Sequence, residues 1–181
     1  MLDDKFLYGA LGGALLTLAG LAVAQKDPEK ESDAVKPLIV LPGSAPRYTG
    51  PQGREADITE LLATSAQTGG KLGIFRQTIA PGSGPPTHLH HMEIEFAYVV
   101  SGHFTFKAGE SVMSVPVGTF IVVPPNTAHT FKNTGSSPGQ LLFGVMPGGF
   151  EKMFAERQGV DADTNKKLTE KYEHVVGPPL P

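Results

Sequence analysis

The sequence predicts a mainly β, antiparallel single domain, a sandwich or barrel of short strands closed by two short helices. Three observations carry this. Apolar, β-branched runs recur about every ten residues between clusters of turn formers. Glycine (22) and proline (16) are abundant, as many tight turns require. Nowhere do strand and helix patterns alternate in the way that builds a parallel sheet, and a helical period emerges only after Pro147-Gly148-Gly149.

Length and charge narrow the classes further. A chain of 181 residues holds one domain with a proper core. With 40% apolar residues, 18% charged residues and a net charge of −3, it is globular and lacks the basic footprint of a nucleic-acid binder. The absence of cysteine removes disulfides, thiolate ligands and cysteine nucleophiles together.

Residues 1–24 read as a signal peptide or membrane anchor. Phe6 to Ala24 is a run of nineteen uncharged residues ending in Ala22-Val23-Ala24, a small-x-small cleavage pattern. Cleavage after Ala24 gives an exported protein, secreted or periplasmic; retention of a run near bilayer-spanning length gives an anchored one with the domain outside. Residues 25–54 form a charged, then Pro/Gly-rich segment: a solvated linker to Lys36, a first short strand over Val35 to Leu41, and an aperiodic wrap from Pro42 to Gly53.

Residues 55–147 carry the β domain. Glu55 to Thr68 is read as a strand, although Ile58, Leu61 and Leu62 also suit a helical turn. Leu72 to Ala80 alternates and ends in the turn cluster before Thr87. Ser101-Gly102 signals a hairpin between Phe96–Val100 and His103–Lys107, and a second turn at Ala108 to Ser111 leads to Val112–Val115. Thr119–Val123, Ala128–Asn133 and Gln140–Met146 complete the strands. In residues 148–181, Phe150, Met153 and Phe154, then Leu168 and Tyr172, fall at helical spacing, with Asp161 or Asp163 as cap of the second helix.

The chemistry concentrates in GSGPPTHLHHMEIEFAYVVSG, Gly82 to Gly102. On an extended strand His88 and His90 point the same way and can reach one ion. His129 follows a turn through Pro124, Pro125 and Asn126. Three imidazoles and one carboxylate suit a divalent transition metal and leave coordination positions open. The carboxylate is Glu93 or Glu95; both have the opposite parity to the histidines, so a bulge or bend after His90 has to re-aim either one.

These two stretches resemble the motifs of the cupin family. The first spacing is met by Gly82, His88, His90, Glu95 and Gly102, and the second by Gly118, Pro124, His129 and Asn133, with Asn126 standing where the family usually has Gly. Asn tolerates a left-handed turn, so the bend is expected to survive. The resemblance implies a single jelly-roll-type cupin barrel and selects Glu95 over Glu93. The metal ligands it implies are His88, His90, Glu95 and His129, holding one ion that is Fe, Mn, Ni, Co, Cu or Zn. His91, His103 and His174 are left as spectators, His91 being the candidate for a supporting contact.

The runs HHMEIEFAYVVSG, PPNTAHTFKN and GPPLP further resemble quercetin-dioxygenase-like single-domain cupins. That resemblance implies a metal-dependent dioxygenase for a small aromatic or enolic, flavonol-like substrate, with Glu95 as ligand and catalytic proton acceptor. Desolvation is expected to raise its pKa toward neutrality. A ligand-binding cupin on a redox-inert ion, and a cupin isomerase or decarboxylase, use the same ligands. Between Leu72 and Phe150 the cations are Arg76, Lys107 and Lys132, so Arg76 alone offers a guanidinium. The aromatic and aliphatic residues Phe75, Phe96, Tyr98, Phe104, Phe131, Phe143 and Met146 instead favour a neutral or aromatic ligand. Strand 96–100 is apolar at both parities, which implies that both faces are covered and that two copies pair as a homodimer.

Overall fold

The structure, a computed structural model, describes residues 36–51 and 54–181. The signal or anchor at 1–24 and most of the linker lie outside these residues. In chain order the strands are β1 (Arg47–Thr49), β2 (Ile58–Ala63), β3 (Gly73–Ile79), β4 (Thr87–Leu89), β5 (Ile94–Ser101), β6 (Phe104–Ala108), β7 (Ser111–Val115), β8 (Phe120–Val123), β9 (His129–Asn133) and β10 (Gly139–Met146). Helices α1 (Lys152–Glu156) and α2 (Ala162–Tyr172) follow, then a last strand β11 (His174–Gly177).

Two sheets face each other, ordered β1-β2-β3-β10-β5-β8 and β11-β4-β9-β6-β7. Every strand pairing described is antiparallel. The architecture is a jelly-roll-like sandwich whose sheets do not close on one another, in place of the closed barrel expected. Strand periodicity decides which residues meet between the sheets. In β3, Phe75, Gln77 and Ile79 are buried while Ile74, Arg76 and Thr78 lie outward. In β10, Leu141, Phe143 and Val145 are buried. The inward rings form a chain: Phe75 stacks on Phe143 at 5.2 Å, and Phe143 meets Phe131 at 5.5 Å.

Three expectations are corrected. Lys36 to Leu41 forms no strand; Pro37 and Pro42 remove ladder donors, and Ile39 is 83% exposed. The first strand lies instead at Arg47–Thr49, inside the run expected to be aperiodic, paired with β2. Ser101-Gly102 is a tight reversal without being a hairpin: β5 pairs with β10 and β8, whereas β6 pairs with β7 and β9 in the other sheet. Gly102 has φ 92°, which turns the chain across the sandwich, and a turn signal does not specify the partner. The C-terminal segment is not purely helical, because β11 adds to the edge of β4.

Of the two apolar stripes, that of α1 is buried through Met153 and Phe154, and Asp161 caps α2 by accepting from the Thr164 N–H at 2.7 Å. Helix α2 buries no residue fully; Tyr172 only leans on the core.

Two buried polar side chains hold the loops. The motif residue Asn133 donates to the carbonyls of Ile79 (2.8 Å) and Ser137 (2.9 Å) and accepts from the Gly135 N–H (2.9 Å). Glu151 accepts from the backbone N–H groups of Ser65 and Gly149, both at 2.6 Å, joining α1 to the loop after β2.

Among the described residues nothing covers the outer face of strand 96–100. Tyr98 (39% exposed), Phe120 (60%) and Val122 (55%) share an outward apolar face. Two copies covering that face give a dimer by light scattering; a monomer across a hundredfold dilution contradicts it. Asn133→Ala leaves buried backbone groups unpaired and is expected to cost about 2–4 kcal/mol in urea denaturation. A loss under about 1 kcal/mol would mean that Asn133 does not tie these loops together.

Candidate metal centre

His88 lies on β4 and His129 on β9, and the two are direct partners across the strand pair. Register alone therefore sets these rings side by side, with centroids 4.4 Å apart. His90 follows the end of β4, its ring 5.2 Å from His88 and 5.3 Å from His129. Its carbonyl accepts from the Asn126 N–H at 2.7 Å, so the turn before β9 grips the backbone that presents it. Asn126 takes φ 61°, the left-handed conformation anticipated for Asn in a glycine position. All three rings are buried, and one nitrogen of each lies within 4.8 Å of the others.

The parity problem of the carboxylate is solved by a break rather than a bulge. The chain leaves one sheet after His90 and re-enters the other at Ile94, so β4 and β5 have independent faces. Glu95 is buried and points inward; Glu93 is only half-buried, and its carboxylate accepts from the Met92 N–H. Glu95 approaches two of the three rings, with Oε2 3.2 Å from His90 Nε2 and Oε1 3.5 Å from His129 Nε2. The mutual 4.8 Å group is formed by the imidazoles alone.

Backbone carbonyls orient two of the rings, a device the sequence motif does not display. His88 Nδ1–H donates to Pro86 O at 2.9 Å and His129 Nδ1–H to Thr127 O at 2.8 Å. Each bond fixes the tautomer that leaves the Nε2 lone pair free. His90 Nδ1 and Nε2 and His129 Nε2 are buried and lack a hydrogen-bond partner. Orphaned, convergent ring nitrogens are what a cation would satisfy, and two ligands about 2.1 Å from one ion stand roughly 3.0–3.5 Å apart. The residues fit a divalent transition metal held by His88, His90 and His129.

Charge follows the geometry. Burial lowers the pKa of His88, and the charge of Glu173 only partly opposes this. Burial also pulls on His90, but Glu95 outweighs it and raises the imidazole. For Glu95, burial favours the neutral acid, yet His129 and His90 outweigh it and hold the carboxyl well below its usual range. That direction is opposite to the one expected. A carboxylate so stabilised is a good ligand and a poor proton acceptor near neutral pH.

A cavity of about 50 Å³ reaches the centre at His88 and Glu95. Phe75, Phe131 and Phe143 line it, whereas Phe104 belongs to the core and Tyr98 is on the outer face. Arg76 faces outward and pairs with Glu60 at 2.7 Å. The guanidinium groups at the cavity are instead Arg54 and Arg157, outside the segment from Leu72 to Phe150. His103 and His174 are exposed, and exposed His91 Nδ1 lies 2.9 Å from Asn126 Oδ1.

Residues 75–145 match the family described as Cupin domain. Protein SchB of Streptomyces halstedii is 29% identical over 52% of this chain and 68% of its own length. Oxidoreductase macE of Penicillium terrestre is 33% identical over 40% of this chain and 29% of its own. Among solved structures, a predicted oxalate decarboxylase from Thermotoga maritima superposes with a TM-score of 0.55 at 19% identity, covering 61% of this chain and 99% of that one. At that identity the likeness is one of fold.

His88→Ala and His129→Ala are each expected to lose stoichiometric metal in elemental analysis; full occupancy in both would refute the centre. In metal-free protein the depressed Glu95 adds stability above its ordinary value of 4.5 that is lost as the pH falls further. Wild type should therefore exceed Glu95→Gln in stability at pH 6, the gap closing toward pH 3. A gap constant across that range contradicts the coupling.

Proposed function

With residues 75–145 a cupin domain, we propose that this protein is a metal-dependent dioxygenase of a small enolic substrate. The supporting observation is the convergence of His88, His90 and His129, with Nε2 of His90 and His129 buried and unpartnered, beside a cavity lined by His88 and Glu95. A divalent transition metal there supplies Lewis acidity and, when redox-active, electron exchange with O₂.

The chain's own contributions are positional. Pro86 and Thr127 hold two rings in register, and the aromatic wall of Phe75, Phe131 and Phe143 keeps bulk water from the site. Glu95 stays ionised beside His90 and His129 and serves as fourth ligand in this reading. The cavity holds on the order of four waters and is far smaller than the roughly 300–1,000 Å³ of drug-sized sites. A cavity of that size favours the smaller, enolic end of the expected substrates over a three-ring flavonol. Export through residues 1–24 would place this chemistry outside the cytoplasm.

The ionised state of Glu95 favours a second reading, ligand binding without turnover on a redox-inert ion, since the centre then needs no base. Oxygen uptake separates the two. Protein loaded in turn with Fe²⁺, Mn²⁺, Ni²⁺, Co²⁺ and Cu²⁺ is expected to consume O₂ with a small enediol in at least one form, and the Zn²⁺ form in none. Absence of uptake in every form, with metal bound, supports the binding protein.

A further inference from the structure

Much of the lining of the cavity at His88 and Glu95 comes from outside residues 75–145. Arg157, the C-cap residue of α1, and Glu173, after α2, line it together with Arg54 and Asp57. These charges are not equally engaged. Arg54 Nε donates to Asp57 Oδ2 at 2.9 Å and to Ser83 Oγ at 3.3 Å, so its guanidinium is paired and fixed. Asp57 is occupied in turn by the Ala80 N–H at 2.8 Å and the Ser83 hydroxyl at 2.6 Å.

Arg157 has no such partner. A guanidinium offers five N–H donors in a planar fork. Here one nitrogen meets the thioether of Met153 at 2.8 Å and Thr169 Oγ1 at 3.5 Å, and the buried Nε meets nothing. Among the described residues no carboxylate oxygen lies within 4.0 Å of it, Glu173 included. Burial opposes its charge more than Glu173 supports it. A half-buried cation with unused donors, lining the same cavity as His88 and Glu95, is complementary to a planar anion.

We infer that Arg157 receives the carboxylate of a small anionic substrate whose other end meets the centre at His88 and Glu95; this deepens the metal-centre reading above and rests on it. The substrate class becomes a short carboxylate with an enolic or second acidic oxygen, small enough for about 50 Å³ and the open metal positions beyond it. The aromatic rings of the wall then exclude water from the pair, which strengthens it.

The test is calorimetric titration of Co²⁺-loaded protein with malonate, its neutral diamide malonamide, and inorganic phosphate. Arg157→Gln is expected to weaken malonate binding roughly 10- to 100-fold, leave malonamide within about twofold and retain full cobalt. Arg157→Lys, which keeps the charge without the fork, is expected to recover part of the loss. Malonate binding unchanged in Arg157→Gln overturns the assignment, as does tighter binding of phosphate than malonate by wild type. Cobalt lost from Arg157→Gln also overturns it, since the residue would then be holding the fold. Wild type that takes up no cobalt contradicts the metal centre instead, and the same titrations of metal-free protein then decide Arg157.

Discussion

Three buried imidazoles brought within 4.8 Å of one another, with a buried carboxylate against two of them, are the constraint on which the site depends. Polar nitrogens removed from water cost free energy unless something replaces the lost hydrogen bonds. The protein supplies part of that replacement through Pro86 and Thr127, which engage the Nδ1 side of two rings. The opposite edges are left facing each other. Core packing offers no reason to gather such groups, whereas coordination of a shared cation does.

The sandwich delivers those groups through features that are each local. Antiparallel pairing of β4 with β9 sets His88 opposite His129, and the Asn126 turn clasps the backbone of His90. The crossing from one sheet to the other frees Glu95 from the parity of the histidine strand. The short β4 is then braced by β11, and the Thr87 N–H and hydroxyl both donate to Pro178 O, at 3.2 and 2.7 Å. The C-terminal segment thus supports the metal strand on one side and, through Arg157, shapes the cavity on the other.

Much of this was legible in the sequence, for identifiable reasons. Strands β3 and β10 show because burial on one face imposes a period of two, and His88, His90 and His129 show because ligand type and spacing are fixed by the chemistry. The left-handed Asn126 was legible because few residues tolerate that conformation. Long-range partnership was not. The Ser101-Gly102 reversal looks the same whether the strand beyond it pairs back or crosses to the other sheet. Strand β11 has no apolar alternation of its own, with Val175 and Val176 both exposed, and exists because β4 has an open edge. The Pro86 and Thr127 bonds use backbone oxygens that any residue carries. Arg54 and Arg157 were missed because a cavity wall recruits side chains from distant parts of the chain, here from before and after the motif segment.

X-ray absorption at the edge of the bound metal examines the donor set most directly. The account predicts three imidazole nitrogens at about 2.0–2.1 Å, with the outer scattering of their rings, completed by oxygen donors. A shell made of oxygen alone, or one with fewer than two imidazoles, would contradict it.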